Sequence, residues 1–348
     1  MSHSNESSAD APVAVTSAAA ITSSAPSAGA ALGTFRTVFQ YKEVTAAIIL
    51  VALCMLLALG NENFLSVRSL TLEARSMSFV GIASLGAILV LSMGQLDLSV
   101  GSCMGLAGVL AAYCTVNLGL PDAVVLLIVV ATGALYGLIN GSLVVGLNLN
   151  SMIVTLATGL VGRGIVYALT DGLPISEFSK GLRYLGAGFW LGLPVPVWIL
   201  IGLAIVFSWV MARTTFGWHI YAIGGNEEAV RLSGMPVDRI KIIAFVIAGI
   251  MAAFGGMLLT ARLSSGEVNI GAGYELDVIA AAVIGGLRFG AGSSGITPIG
   301  ILLGVAVMSV LRSALSFLSV PLALQPIVIG FAILLSMGLE RVRSIRRT

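Results

Sequence analysis

The stretch AVVLLIVVATGALYGLINGSLVV at residues 123–145 contains no Asp, Glu, Lys or Arg. A helix crosses the hydrocarbon of a bilayer in about 20 apolar residues, so this run is long enough to span. It is too long for a strand, and it lacks the alternation that a transmembrane β-barrel requires. Within it Gly133, Gly137 and Gly141 recur at every fourth position. Lipid gives helices little hydrophobic reason to associate, so stripes of small residues mark faces where backbones approach closely.

The same pattern repeats on both sides of this run. Apolar spans read at 44–59, 77–93, 100–116, 123–145, 152–169, 195–212, 240–261, 276–286, 296–318 and 322–339. The eighth is too short to cross alone and reads as a broken helix, or as one extended by the Gly-rich segment before it. Gly300 and Gly304 place a second small-residue stripe on the ninth. Of 348 residues, 57% are apolar and 10% charged, with a mean hydropathy of +1.03. A soluble domain carries about 25% charged residues. The fold class is therefore an all-α polytopic membrane protein with about ten transmembrane helices.

A weak internal repeat runs through the spans. Residues 91–112 and 284–305 both read as helix end, Gly/Ser break, helix, and Asn150-Ser-Met-Ile-Val154 echoes Leu324-Gln-Pro-Ile-Val328. Paired interruptions in two halves are a feature of transporters.

Residues 1–40 are rich in Ser and Ala and hold no Lys or Arg before Arg36. They lack the basic start and apolar core of a secretory signal and read as a disordered tail. A transmembrane domain covers 41–340, and a basic tail covers 341–348. Eleven basic residues fall on one side of the spans: Arg36, Lys42, Arg213, Arg231, Arg239, Lys241, Arg288, Arg341, Arg343, Arg346 and Arg347. Opposite them are Arg68, Arg75, Lys180, Arg183 and Arg262. The excess of basic residues on the cytoplasmic side of membrane proteins puts both termini in the cytoplasm.

Several classes are excluded. A net charge of +2 gives no reason for nucleic-acid binding, and Cys54, Cys103 and Cys114 lie in or beside apolar runs. A phosphate-binding loop needs Lys followed by Ser or Thr, whereas the three lysines precede Glu43, Gly181 and Ile242. No catalytic, metal-binding or cofactor-binding residue is expected, and the chain is not read as an enzyme.

The most informative polar stretch is the cytoplasmic segment at 213–239. Asn226 suits the start of a short helix, Glu227 and Glu228 complement its positive end, and Arg231 follows Glu227 by four residues. Gly234 closes it and Pro236 follows. Such a helix, with Ala229, Val230, Leu232 and Met235 exposed, suits the groove of a partner. Coupling to that partner is assigned to Asn226, Glu227, Glu228, Ala229, Arg231, Leu232 and Gly234. Asp97 sits between two long spans, where a carboxylate is a functional candidate by default or a helix cap. Asn140, Asn148, Asn150, Ser151, Thr155 and Thr158 either line a pore with Asp97 or bond neighbouring helices. Arg163 reads as reaching to the interface. Arg68, Arg75, Lys180 and Arg183 form two basic loops, the second at 170–194, where a soluble partner bearing carboxylates could dock.

Asp97-Leu-Ser-Val-Gly101, Tyr221-Ala-Ile-Gly-Gly-Asn226 with Arg231-Leu-Ser-Gly234, and Asp277 through Ile284-Gly-Gly286 resemble the permease subunits of bacterial ABC importers of the ribose/xylose/arabinose/galactoside class. The resemblance runs over about 41–337 and implies a place in a bacterial inner membrane. It implies that the 226–234 helix is the coupling helix seated in an ATPase subunit, with ATP and Mg bound there and not by this chain. It further implies a second permease copy, identical or paralogous, and a periplasmic solute-binding protein delivering a monosaccharide or related polyol. Gln95 where the family usually has Gly, Gly285-Gly-Leu-Arg-Phe-Gly-Ala-Gly292, and Ser313-Ala314 depart from the family pattern. A branched-chain amino-acid or nucleoside permease stands as the near alternative, and an ion-coupled secondary transporter as the alternative from another class.

Overall fold

The computed structural model describes residues 42–60, 62–287, 296–321, 324–325 and 327–331. Both tails, the departure at 288–292 and more than half of the tenth expected span lie outside the described residues. Twelve helices are assigned among those described: α1 Lys42–Gly60, α2 Val67–Ser92, α3 Val100–Val116, α4 Asp122–Gly146, α5 Ser151–Thr170, α6 Lys180–Ala187, α7 Val195–Arg213, α8 Thr215–Gly225, α9 Glu227–Leu232, α10 Val237–Leu263, α11 Tyr274–Ile284 and α12 Pro298–Phe317. Two small antiparallel pairs complete the structure. β1 (Ile175–Ser176) pairs with β4 (Ser265–Gly266), and β2 (Phe189–Trp190) with β3 (Leu193–Pro194).

Seven of these helices are long and apolar enough to cross a membrane: α1, α2, α4, α5, α7, α10 and α12. α3 is apolar but has 17 residues. The eighth expected span becomes α11, with 11 residues, about 16 Å of helix at 1.5 Å per residue. It covers roughly half a bilayer core. The chain is thus a helical polytopic protein with seven full-length spans among the described residues, where the sequence reading expects about ten over the whole chain.

α10 is the central helix, packed on α4, α2 and α3. Its span is 61% buried and that of α2 78%, against 11% for α1 and 22% for both α4 and α7. The peripheral helices turn apolar faces outward, as lipid requires. Small residues permit the central contacts. A Cβ at Gly137 would stand 2.7 Å from Val246 Cα and against the Phe245 carbonyl, and one at Gly133 would stand 2.7 Å from Ile250 Cα. Gly86 of α2 gives way to Ala248 and Met251, and Gly256 accommodates Met104 of α3. The order of these contacts makes α4 antiparallel to α10, so the α4–α5 turn shares an end of the bundle with α8 and α9.

Two expected loops at the other end are structured. α2 begins at Val67 rather than at 77, because Ser66 accepts the Ser69 N–H at 3.2 Å and starts the helix early. Arg68 and Arg75 are therefore helical, not loop residues. The 170–194 segment holds β1, α6 and the β2–β3 hairpin. α6 starts on Ser179, whose hydroxyl accepts the Leu182 N–H at 3.1 Å, and it buries Leu182 and Gly186 against the bundle.

Gly137→Ala is expected to destabilise the protein by about 1–3 kcal/mol, the usual cost of overpacking. Gly202 lies inside α7, and a Cβ there would have no atom within 4 Å, so Gly202→Ala should stabilise by about 0.5–1 kcal/mol through helix propensity. Thermal unfolding of the detergent-purified protein should move in opposite directions for the two variants.

Candidate functional site

The 213–239 segment folds as two helices in sequence, not one. Thr214 caps α8 by accepting the Gly217 N–H at 3.3 Å. Gly217 lets the chain fold tightly against Met211 at the end of α7. α8 stops at Asn226, whose backbone turns to φ −159°, ψ 96°, and whose side chain accepts the Ala229 N–H at 3.0 Å to start α9. Asn226 thus ends one helix and caps the next. After Ser233, Gly234 takes φ +83°, a left-handed conformation that side chains with a Cβ resist. The sequence reading of both ends of α9 holds.

The faces of α9 divide differently from expectation. Val230 is buried and Met235 half-buried against the core, so neither belongs to a docking surface. Six residues are too few for helical periodicity to separate its faces. Leu232 is 83% exposed, with Glu228 and Ala229 also facing out. Glu227 turns inward instead. Lys241 Nζ of α10 donates to both of its carboxylate oxygens at 2.6 Å, and Arg231 lies 3.3 Å away. Arg231 also donates to Asp238 at 2.7 Å, and Asp238 and then Glu227 raise its pKa further. α9 is thereby strapped to the first turns of α10. Tyr221 of α8 donates to the carbonyl of Ile296, just before α12, at 3.2 Å. Sequence reasoning left Lys241 out of this unit and gave no partner to Asp238 or Tyr221, though both lie in the 213–239 segment, because their contacts join separate elements.

The residues suggested for a pore separate into two groups. Asp97, Asn140, Ser151 and Thr155 come together where the α2–α3 loop meets α4 and α5, and all four are buried. Asp97 accepts the Ser99 N–H at 2.9 Å and its hydroxyl at 2.5 Å. Asn140 donates to Ser99 Oγ at 2.8 Å and accepts from Thr158 at 2.7 Å. Ser151 and Thr155 accept the backbone N–H groups of Leu96 and Leu98 at 3.1 and 2.9 Å. Tyr136 donates to the Thr158 carbonyl at 2.6 Å. These groups bond one another across helices. Asn148 and Asn150 stand apart on the exposed α4–α5 turn, where Asn148 has φ +50° and Asn150 accepts the Met152 N–H at 2.9 Å as the cap of α5.

At the opposite end Arg68, Lys180 and Arg183 are exposed. Arg75 is not: it is 9% exposed, with its guanidinium 4.6 Å from the centre of the Phe189 ring. Arg75 is therefore withdrawn from any docking face, a burial that its polar neighbours in the sequence concealed. Arg163 does not simply reach for the interface but lies 3.6 Å from Glu275 of α11. Among the described residues, no three His, Cys, Asp or Glu side chains gather as metal ligands would.

With this geometry in place, comparison with known proteins gives a consistent answer. The family model described as branched-chain amino acid transport system / permease component matches residues 69–337. The chain is 35% identical over 305 residues to the ribose import permease protein RbsC of Haemophilus influenzae, covering 86% of this chain and 93% of that one. It is 33% identical over 308 residues to the L-arabinose transport system permease protein AraH of Escherichia coli, covering 87% and 91%. For RbsC of Bacillus subtilis the identity is 36% over 295 residues, covering 84% and 90%. No solved structure gives a significant match. A helical bundle with a capped helix pair between two spans, and matches over most of its length, mean that the chain belongs to the family of ABC importer permeases.

Proposed function

We propose that this chain is the membrane-spanning half of an ATP-driven importer and passes a monosaccharide, delivered by a periplasmic binding protein, into the cytoplasm. The observation that carries the reading is α9: a capped helix that exposes Glu228, Ala229 and Leu232 while Glu227 and Arg231 bind it to α10. ATP and Mg belong to a partner ATPase, and α8 and α9 face it from the cytoplasmic end. A second permease copy completes the pathway. Arg68, Lys180 and Arg183 present positive charge to the binding protein at the other end.

Movement of the ATPase displaces α8 and α9; the straps of α9 carry the displacement to α10, and Tyr221 of α8 carries it to the start of α12. This shifts the population of outward- and inward-open states only if the ATPase holds α9 differently in its two nucleotide states. The names of the relatives favour sugar. The description of the family model names branched-chain amino acids, and this second reading is tested by comparing uptake of D-ribose and L-arabinose with that of L-leucine.

Gly234→Val places a β-branched residue at φ +83°, at a cost of about 1–2 kcal/mol. Membrane insertion should persist while co-purification of the ATPase and uptake both fall. Gly234→Asn, which tolerates the left-handed region, should retain both. Unchanged co-purification and uptake in Gly234→Val would remove α9 as the coupling element.

Glu227→Gln leaves Lys241, 7% exposed, without its carboxylate. Loss of one partner of a buried pair costs about 3–5 kcal/mol, and the partial exposure of Glu227 reduces this to roughly 1–3 kcal/mol. The double variant Glu227→Gln/Lys241→Met should recover most of that loss in thermal unfolding.

A further inference from the structure

The first turn of α11 carries two carboxylates inside an apolar bundle, and each meets a guanidinium from another helix. Asp277 accepts from Arg312 Nη2 of α12 at 2.6 Å, and Glu275 faces Arg163 of α5. Glu73 of α2 accepts the hydroxyls of Ser309 and Ser313 on α12. The Asp277 side chain is 6% exposed and that of Arg312 45%. A half-exposed guanidinium on a spanning helix, held by a buried carboxylate, is costly against hydrocarbon and stable where water reaches it.

Water has room there. A cleft between α2, α11 and α12 holds about 80 Å³ of open space, bordered by Ser76, Tyr274, Asp277, Ser309 and Arg312 and walled elsewhere by methionine and valine side chains. We propose that this cleft is a station on the solute's path and takes a neutral, polyhydroxylated molecule. The proposal rests on the importer reading above and deepens it by placing the path along α11. A carboxylate beside a guanidinium offers an acceptor and a donor side by side, the complement of a vicinal diol. Their charges cancel, which favours neither a cation nor an anion. The apolar wall suits the C–H face of a sugar ring.

Two further features support this location. The polar groups between α4 and α5 already bond one another, whereas those of the cleft border open space. The cleft is smaller than the ~300 Å³ or more of an enclosed small-molecule site, so α11 and α12 must part to admit a sugar. They meet through Gly285 against Gly300 and Ala281 against Gly304, over a smaller contact than α10 makes with α4, α2 or α3.

The test uses the complete importer in intact cells, with Cys54 replaced by Ala and the parent as background. Ser309→Cys, and Ser76→Cys independently, are treated with a membrane-impermeant, positively charged thiosulfonate. Labelling should be at least tenfold faster than at Thr158→Cys, and at least threefold slower in the presence of a saturating sugar that the unmodified importer takes up. Labelling by a lipid-soluble maleimide alone would overturn the water-filled cleft. Protection by L-leucine and by no transported sugar would overturn the polyol assignment. Exchanging the pair as Asp277→Arg/Arg312→Asp should lower uptake at least tenfold while the ATPase still co-purifies. Full uptake in the exchanged pair would reduce it to a brace and overturn the proposal. If the unmodified importer takes up none of D-ribose, L-arabinose, D-xylose and D-galactose, the sugar reading fails, and thiosulfonate labelling then decides the water path alone.

Discussion

The bundle depends on the contact of bare backbone along α10. Gly249 of α10 and Gly133 of α4 each occupy the space that a Cβ on the other would need, and Gly255 and Gly256 admit Phe79 of α2 and Met104 of α3. In lipid, burial of apolar side chains does not drive helices together, because the hydrocarbon tails are equally apolar. Close approach supplies what remains: dispersion over many atom pairs and weak Cα–H···O contacts. Both fall away if the helices are held apart by even one methyl group. The consequence is a stiff central helix with three neighbours fixed to it, ending at the residues that grip α9.

Polar groups in this apolar setting are handled in two ways. Where the α2–α3 loop meets α4 and α5, donors and acceptors satisfy one another, and the unit also ties down the backbone that interrupts α2 and α3. Each interhelical hydrogen bond contributes only about 0.6 kcal/mol in a membrane, yet leaving one buried group unpaired would cost more. The network is thus a fastening for irregular backbone, which membranes tolerate only within protein. Around α11 the solution is different. Carboxylates and guanidinium groups pair across helices, and the Arg312 guanidinium stays half-exposed.

How much of this was legible in the sequence follows from the range of the interactions. Asn226 and Gly234 act on backbone within three residues, so their roles as cap and terminator were readable. The spacing of Gly133, Gly137 and Gly141 likewise gave their contact face, though not its partner. Arg75 looked like a loop residue because Arg68, Glu73 and Ser76 surround it. Nothing local shows that Ser309 and Ser313, more than 200 positions away, accommodate Glu73, or that Phe189 covers Arg75. The shortness of α11 was readable, because the apolar run at 276–286 is itself too short to cross, and the helix keeps 11 residues without extending through the Gly-rich segment before it. The membership of Asp97 and Asn140 in one cluster was guessed from residue type, but whether they face a solute or one another depended on packing.

Few polar side-chain contacts hold α8 and α9 to the spanning helices among the described residues, and their placement constrains any mechanism. α9 grips the first turns of α10 through Glu227–Lys241 and Arg231–Asp238, while α8 holds the residue that leads into α12 through Tyr221. α10 is fixed by glycine contacts with three helices and cannot shift without carrying them along. α12 packs on α11, α1 and α2 less extensively than α10 packs on its three neighbours, and is the freer of the two. A displacement applied at α8 and α9 therefore meets high resistance along α10 and lower resistance at α12. On the importer reading, the work done at the coupling helices is expressed mainly as motion of α12 against α11, beside the Asp277–Arg312 pair, and the α4–α5 side serves as the frame against which that motion occurs.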